Sequence, residues 1–417
     1  MKLIHADIVF SEDREHLAVY EDSYIGVENG LVQGIWQEVP EDLRGAEMID
    51  YGDAVLIPAF TDLHVHAPQY LNRGLEMDLL LYDWLYKCTF PMEARFADIE
   101  FAKSVYDAFV DDMLANGTMH ACVYGTIHSE ATSYLIEKME SKGMKAFVGK
   151  VNMNRDALED LVEDTEASIR ETEAFLERYS SNKHAKPILT PRFAPTCTGD
   201  LLSRLGRLAE KYEVGVQTHL VESKWEAEQA GILFPECSCD TEIYEKAGLL
   251  GHGLLIGGHF IFPKKEDIEI LKKYGGFAAH CPDATVSIIA GIMETGSLLD
   301  KGVNIGLGSD ISAGHHIGVY TQAARAVQLS KLKEFYEPEG NRKISFPEAF
   351  WMATKSGGAV FGKTGAFEKG FAFDALVIDG LSDEAGKLTP AKTVERFCYI
   401  GTKENIKARY LDGELQS

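Results

Sequence analysis

The chain has 417 residues, 45% hydrophobic and 25% charged, which is material for a large buried core. A formal net charge of −24 without any lysine–arginine cluster excludes a nucleic-acid backbone or an anionic membrane surface as partner. The absence of a long apolar run leads to the expectation of a cytoplasmic protein, and the seven scattered cysteines argue against a disulfide framework.

Residues 1–57 read as short strands: 6–10, 23–27 and 31–35 alternate or run apolar, and Glu28-Asn-Gly30 is a tight-turn signal. From residue 58 apolar strands alternate with amphipathic helices. The strand candidates are 62–66, 119–125, 146–153, 187–193, 215–220, 254–260, 276–281 and 304–310, with helices such as 101–116, 156–179, 201–212 and 267–274 between them. This is an α/β pattern of parallel strands covered by helices. Eight units favour a closed (β/α)8 TIM-type barrel, with an open doubly wound sheet as the alternative. Strand-like text returns at 373–379 and 393–400. The N- and C-terminal strands are expected to build one small β-sandwich domain, dividing the chain into 1–57, 58–364 and 365–417.

In a parallel barrel the chemistry sits at the carboxyl ends of the strands. The first strand ends in His64-Val-His66, and strand alternation turns both imidazoles to one face. The fourth ends in Arg192-Phe193, the fifth in His219 with Glu222 just beyond, the sixth in His259 and the eighth in Asp310. Each has a plain reading: a hydrogen-bonded structural histidine, an N-cap or turn aspartate, an acidic first helical turn. Together they point to a metal centre. Imidazoles and a carboxylate suit zinc with one position left for water, whose pKa such an ion lowers to about 7; iron(II) accepts the same ligands. His128-Ser-Glu130 lacks the Pro-Cys-x-x-Cys that would complete a cytidine-deaminase-type zinc site, and Cys237-Ser-Cys239 lacks a second cysteine pair. His280 and the pair His315-His316 read as pocket-border, structural or exposed residues.

Asp62-Leu-His-Val-His66, the later single histidines and Gly308-Ser-Asp310 resemble the amidohydrolase superfamily over about residues 58–379. His66-Ala-Pro-Gln-Tyr70, Trp84-Leu-Tyr-Lys-Cys-Thr-Phe-Pro-Met-Glu93, Phe147-Val-Gly-Lys-Val-Asn-Met153 and Pro187-Ile-Leu-Thr-Pro-Arg-Phe193 are similar to its guanine-deaminating members. The resemblance implies hydrolysis of a cyclic amidine C–N bond, guanine as the small-molecule substrate, xanthine and ammonia as products, one Zn2+ per subunit and a homodimer. It makes His64, His66, His219 and Asp310 the metal ligands. It places His259 beside the attacking hydroxide, gives Glu222 the proton transfers, and assigns Gln69, Arg192 and Phe193 to the purine. Arg192 stands where two-metal relatives carry a carboxylated lysine, which implies a single ion; Lys150 is the one lysine to follow. Val221, Phe260 and Asp283-Ala-Thr285 depart from the family pattern. They leave another aminopurine, a pterin or a triazine as alternative substrates, and a non-catalytic scaffold is the alternative of a different class. Residues 78–96 are the expected cover over the base.

Overall fold

The first strands are long because their turns suit the natural twist of a sheet. Lys2–Ser11 (β1), Leu17–Glu28 (β2) and Leu31–Trp36 (β3) form an antiparallel meander. The β2–β3 turn has positive φ at both Asn29 (51°) and Gly30 (76°), the two-residue geometry that right-twisted hairpins favour. Glu47–Pro58 (β4) then returns parallel to β1. The computed structural model of the chain describes residues 1–382 and 386–416.

From Phe60 the strands become short, parallel and buried: Phe60–His66 (β5), Thr118–Tyr124 (β6), Lys145–Gly149 (β7), Val151–Asn152 (β8), Ala185–Pro187 (β9), Thr190–Pro191 (β10), Val216–Leu220 (β11), Leu255–His259 (β12), Phe277–His280 (β13) and Asn304–Leu307 (β14). Every residue of β5, β6, β11 and β12 is buried, including the polar Asp62, His64, His66, Gln217 and His219. Two parallel sheets result, β5-β6-β7-β9 and β11-β12-β13-β14, with β10 paired to β8 between them. A parallel bridge joins Leu189 to Val216, and the Gln217 N–H donates to the Leu189 carbonyl at 2.9 Å. At the other seam the Asp310 N–H donates to the His64 carbonyl at 2.8 Å, and the His66 N–H to that of Ile311 at 3.2 Å. The expected fourth strand, 187–193, is split into β9 and β10, each ending on a proline that has no N–H for a ladder.

Helices between the strands bury one stripe against them. In Gly199–Tyr212 the buried residues are Leu201, Leu202, Leu205, Gly206, Leu208 and Ala209, a helical spacing. The Thr198 hydroxyl accepts the Leu201 N–H to start this helix, and Glu213, at φ 49°, ends it. Each of those leucines contributes roughly 1.5–3 kcal/mol by leaving water. Leu205→Ala would loosen this helix by about 2–5 kcal/mol.

The chain finishes with Ala375–Ile378 (β15), Ile406–Leu411 (β16) and Glu414–Leu415 (β17). They join the N-terminal strands in one continuous sheet, ordered β17-β16-β15-β4-β1-β2-β3. The expected pairing of the two chain ends is thus present, as a single seven-stranded sheet. The strand expected at 393–400 is instead part of the helix Pro390–Ile400. Its buried Thr393, Val394, Phe397 and Cys398 have helical spacing, and Pro390 occupies the first turn, where its missing N–H costs nothing. The architecture is α/β, and no described helix is long and apolar enough to cross a membrane.

Candidate active site

Strand β5 sets the floor of the site. His64 is fully buried and packs where only glycine fits: a Cβ on Gly258 would lie 2.7 Å from His64 Cε1, and one on Gly308 2.9 Å from His64 Cβ. Its neighbour in register, His66, turns Nε2 to within 3.1 Å of His219 Nε2. His219 Nδ1 lies 2.6 Å from the Arg192 carbonyl, which only an N–H can satisfy. That bond fixes the tautomer and leaves the His219 Nε2 lone pair facing the cluster.

Asp310 leaves β14 in a left-handed conformation, φ 44°, which brings its carboxylate over the histidines. Oδ1 lies 3.5 Å from His64 Nε2 and 3.6 Å from His66 Nε2, and Oδ2 lies 3.8 Å from His259 Nε2. Glu222 Oε1 is 3.4 Å from that same His259 nitrogen. Three overlapping groups, His64–His66–His219, His64–His259–Asp310 and His219–Glu222–His259, each keep their ligand atoms within 4.8 Å of one another.

The electrostatics suit a cation. Burial pushes His64 down to about 3 and holds His66, His219 and His259 well below the usual imidazole value, so the rings are neutral. Burial drives Glu222 and Asp310 in the opposite direction, and the charge of Asp310 adds to the rise at Glu222. Both ring nitrogens of His64 and of His259, and Nδ1 of His66, have no hydrogen-bond partner among the described residues. Buried nitrogens left this way are costly unless something binds them, and a divalent ion with nitrogen and oxygen ligands does so. Beneath the cluster Asp62 accepts from the His64 N–H (3.1 Å), the Ser309 N–H (3.0 Å) and the Ser309 hydroxyl (2.5 Å), strapping β5 to the exit of β14. Burial raises the Asp62 pKa to about 7.

A cavity opens above the cluster, lined by His66, Gln69, Leu81, Trp84, Leu85, Arg192, Phe193, His219, Glu222, Ile288, Asp310 and Ala313. Its polar wall turns on a residue to which the sequence reading gave no role, Glu93. One carboxylate oxygen accepts from Gln69 Nε2 at 2.9 Å and the other from Arg192 Nη1 at 2.6 Å. Gln69 Oε1 in turn accepts the Ser312 N–H at 3.2 Å, which fixes the amide orientation. Tyr124 was also missed: its ring lies 4.8 Å from that of His64 and 4.5 Å from that of His66. Glu93 sits in an excursion between β5 and β6, and Tyr124 reads as one more strand apolar, so only the quoted Phe-Pro-Met-Glu93 motif offered a signal.

Other candidates fall elsewhere. Lys150 is buried in an ion pair with Glu163. His128 precedes the helix Ser129–Ser141, away from the cavity lining. His315 and His316 contact Asp283 at 3.3 and 3.1 Å. His280 is buried near His259 without lining the cavity. The cysteines are free thiols. The departures Val221, Phe260, Asp283, Ala284 and Thr285 are buried and none lines the cavity.

An amidohydrolase family model matches residues 55–415. A guanine deaminase from Dictyostelium discoideum is 34% identical over 442 residues, spanning 99% of this chain and 97% of that protein. The guanine deaminase of Mus musculus is 34% identical over 374 residues, 86% of this chain and 82% of its own. A crystal structure of guanine deaminase from C. acetobutylicum with guanine bound in the active site superposes with a TM-score of 0.96 at 36% identity, covering 99% of each chain.

Proposed function

This chain belongs to the amidohydrolase family, and we propose that it is a guanine deaminase, hydrolysing guanine to xanthine and ammonia. The observation that carries this reading is the juxtaposition in one cavity of an imidazole–carboxylate cluster with the Gln69–Glu93–Arg192 wall. The two parallel sheets, bridged at both seams, are taken as the halves of a closed (β/α)8 barrel spanning 58–364. Residues 1–57 and 365–417 are taken as the two parts of a small β domain. We read the protein as a cytoplasmic homodimer.

His64, His66, His219 and Asp310 would hold the metal, one Zn2+ per subunit. Their neutral nitrogens, gathered around a carboxylate with few hydrogen-bond donors nearby, fit it. When bound, such an ion lowers the pKa of water to about 7 and supplies a nucleophile at neutral pH. Beside such an ion Asp310 would stay ionised as a ligand despite its burial, and Glu222 would be the proton carrier.

Guanine C2 is an amidine carbon, electron-poor but resonance-stabilised. Arg192, tethered by one nitrogen to Glu93, keeps further N–H groups for the O6 side of the base. Gln69, with one N–H spent on Glu93, keeps the other for a ring acceptor. Phe193, Trp84 and Leu81 give the flat ring apolar faces. As oxygen adds to C2, negative charge builds on the adjacent ring nitrogen, and Glu222 neutralises it by giving up its proton. Asp310 takes the proton released by the attacking water, and His259 orients that water from between the two carboxyls. Asp310 passes that proton on to the amino group, the C2–N bond breaks and ammonia leaves, and the remaining hydroxyl proton returns to Glu222 as the C2 carbonyl forms.

The test is incubation of the metal-loaded protein with guanine, following ammonia and the ultraviolet change to xanthine. Turnover of guanine in preference to other aminopurines, pterins and triazines is expected. No turnover of guanine would refute the assignment.

A further inference from the structure

Two carboxyls behind Glu222 have no part in the reaction as described. Glu226 is wholly buried in the first turn of the helix Lys224–Leu233, and Asp240, 4% exposed, opens the helix Asp240–Lys246. Glu226 Oε2 accepts the Glu222 N–H at 2.7 Å, and Asp240 Oδ2 accepts the Val221 N–H at 3.1 Å. These are consecutive amides of one turn, in which Val221 takes φ 45°, a left-handed conformation unfavourable for a β-branched residue. That turn swings Glu222 back over the cavity directly after His219. The remaining oxygens, Glu226 Oε1 and Asp240 Oδ1, are buried and meet no N–H or hydroxyl donor among the described residues. The two side chains instead lie within hydrogen-bonding reach of each other. Two buried carboxylates offering only acceptors repel, whereas one proton between them makes a charge-assisted hydrogen bond.

We propose that Glu226 and Asp240 share one proton and act as positioning residues for Glu222 through the two amides they bind. The inference deepens the deaminase reading and rests on it. Burial holds both carboxyls above their ordinary range; the charge of Asp240 adds to the rise at Glu226, and that of Asp267 to the rise at Asp240. The other titratable groups facing the pair are Glu222 on the turn, Tyr244 on the helix of Asp240, and Asp267 and Lys264 at the next helix. Asp267 and Glu222 favour retention of the proton, and Lys264 opposes it. Loss of the shared proton sets two charges against each other beneath the turn and releases Glu222 from its place.

The experiment compares wild type, E226A and E226Q as metal-loaded enzymes. Glutamine keeps an acceptor for the Glu222 amide and an N–H for Asp240, while alanine keeps neither. With metal content unchanged, E226A should lose about 100-fold in kcat with KM within about threefold, the scale of a displacement near 1 Å. E226Q should keep at least a third of kcat and lose the alkaline fall in kcat that ionisation of the pair produces. A protonated-carboxyl band should be present in the infrared spectrum of the wild type at neutral pH and reduced in E226Q. That band needs no turnover, so a wild type inactive on guanine would defeat the deaminase reading while the pair is still judged on its own. Unchanged kcat in E226A, equal loss in E226A and E226Q, or identical infrared spectra would overturn the proposal. If E226A does not fold, the pH profile and infrared band of E226Q decide.

Discussion

Two buried histidine–aspartate clusters lie at different places along the same strands, and they are built to opposite rules. Near the start of β6, His120 Nε2 is 2.8 Å from Asp374 Oδ2 and its Nδ1 is 3.1 Å from the Thr61 hydroxyl. Lys145 donates to the same Asp374 oxygen at 2.5 Å, and the Asp412 N–H donates to the other at 2.7 Å. Every polar atom is matched, and His120 and Lys145 hold the Asp374 carboxyl well below its usual range despite burial. At the carboxyl ends, the ring nitrogens of His64 and His259 have no hydrogen-bond partner among the described residues, and burial pushes Asp310 upward. Residue types and burial are alike; what differs is satisfaction. A completed polar cluster fastens the seven-stranded sheet to β6 and β7, whereas an incomplete one is shaped for a ligand.

The sharpest way to break this contrast is to remove one member from each cluster. His66→Ala should abolish both stoichiometric metal binding and guanine turnover, read by metal analysis and ultraviolet assay; retained metal would take His66 out of the ligand set. Glu222→Gln should keep the metal while kcat falls about 10²–10⁴-fold, the usual worth of a positioned proton carrier. Full activity in that variant would remove Glu222 from the chemistry. Asp374→Ala should leave KM for guanine unchanged yet cost about 3–5 kcal/mol of stability in chemical denaturation, because it strands the Lys145 ammonium and the buried His120 ring. Glu93→Gln should raise KM roughly 10- to 100-fold without loss of metal, since it weakens charge-assisted bonds worth about 1.5–3 kcal/mol; an unaltered KM would make Glu93 irrelevant to the base.

A smaller effect is expected from pH. Asp374 has a native pKa below its ordinary 3.8, so its contribution to stability is complete above that value and is lost as pH falls beneath it. Asp62, raised to about 7, works the other way: its contribution is complete below 3.8 and is lost as pH rises through 7. Melting of metal-free D374N should therefore lose acid sensitivity, and that of D62N the decline between about pH 4 and 7.

Much of the frame was legible because burial and strand period leave plain traces. β5, β6, β11 and β12 are buried on both faces, and each begins within two residues of its expected start. The residues expected to meet, His64, His66, His219, His259, Glu222 and Asp310, do converge. Glu93 was opaque because it reaches the site from an excursion whose only link to Gln69 and Arg192 is three-dimensional. Residues 393–400 misled because Thr393, Val394 and Phe397 carry strand propensity, while their helical spacing is fixed by packing, including Phe397 against Phe60 at 6.3 Å. The Glu226–Asp240 contact was beyond any pattern, since two acids fourteen positions apart reveal no shared proton.

The order of strands in the seven-stranded sheet has a consequence for biosynthesis. β4 lies between β1, made before it, and β15, made long after both. Until Ala375–Ile378 emerges from the ribosome, β4 presents a bare backbone flank, the kind of surface that recruits foreign strands. The nascent protein is thus most in need of chaperoning after the clustered histidines have all been translated, and premature stop codons before residue 375 should yield aggregates in place of folded protein.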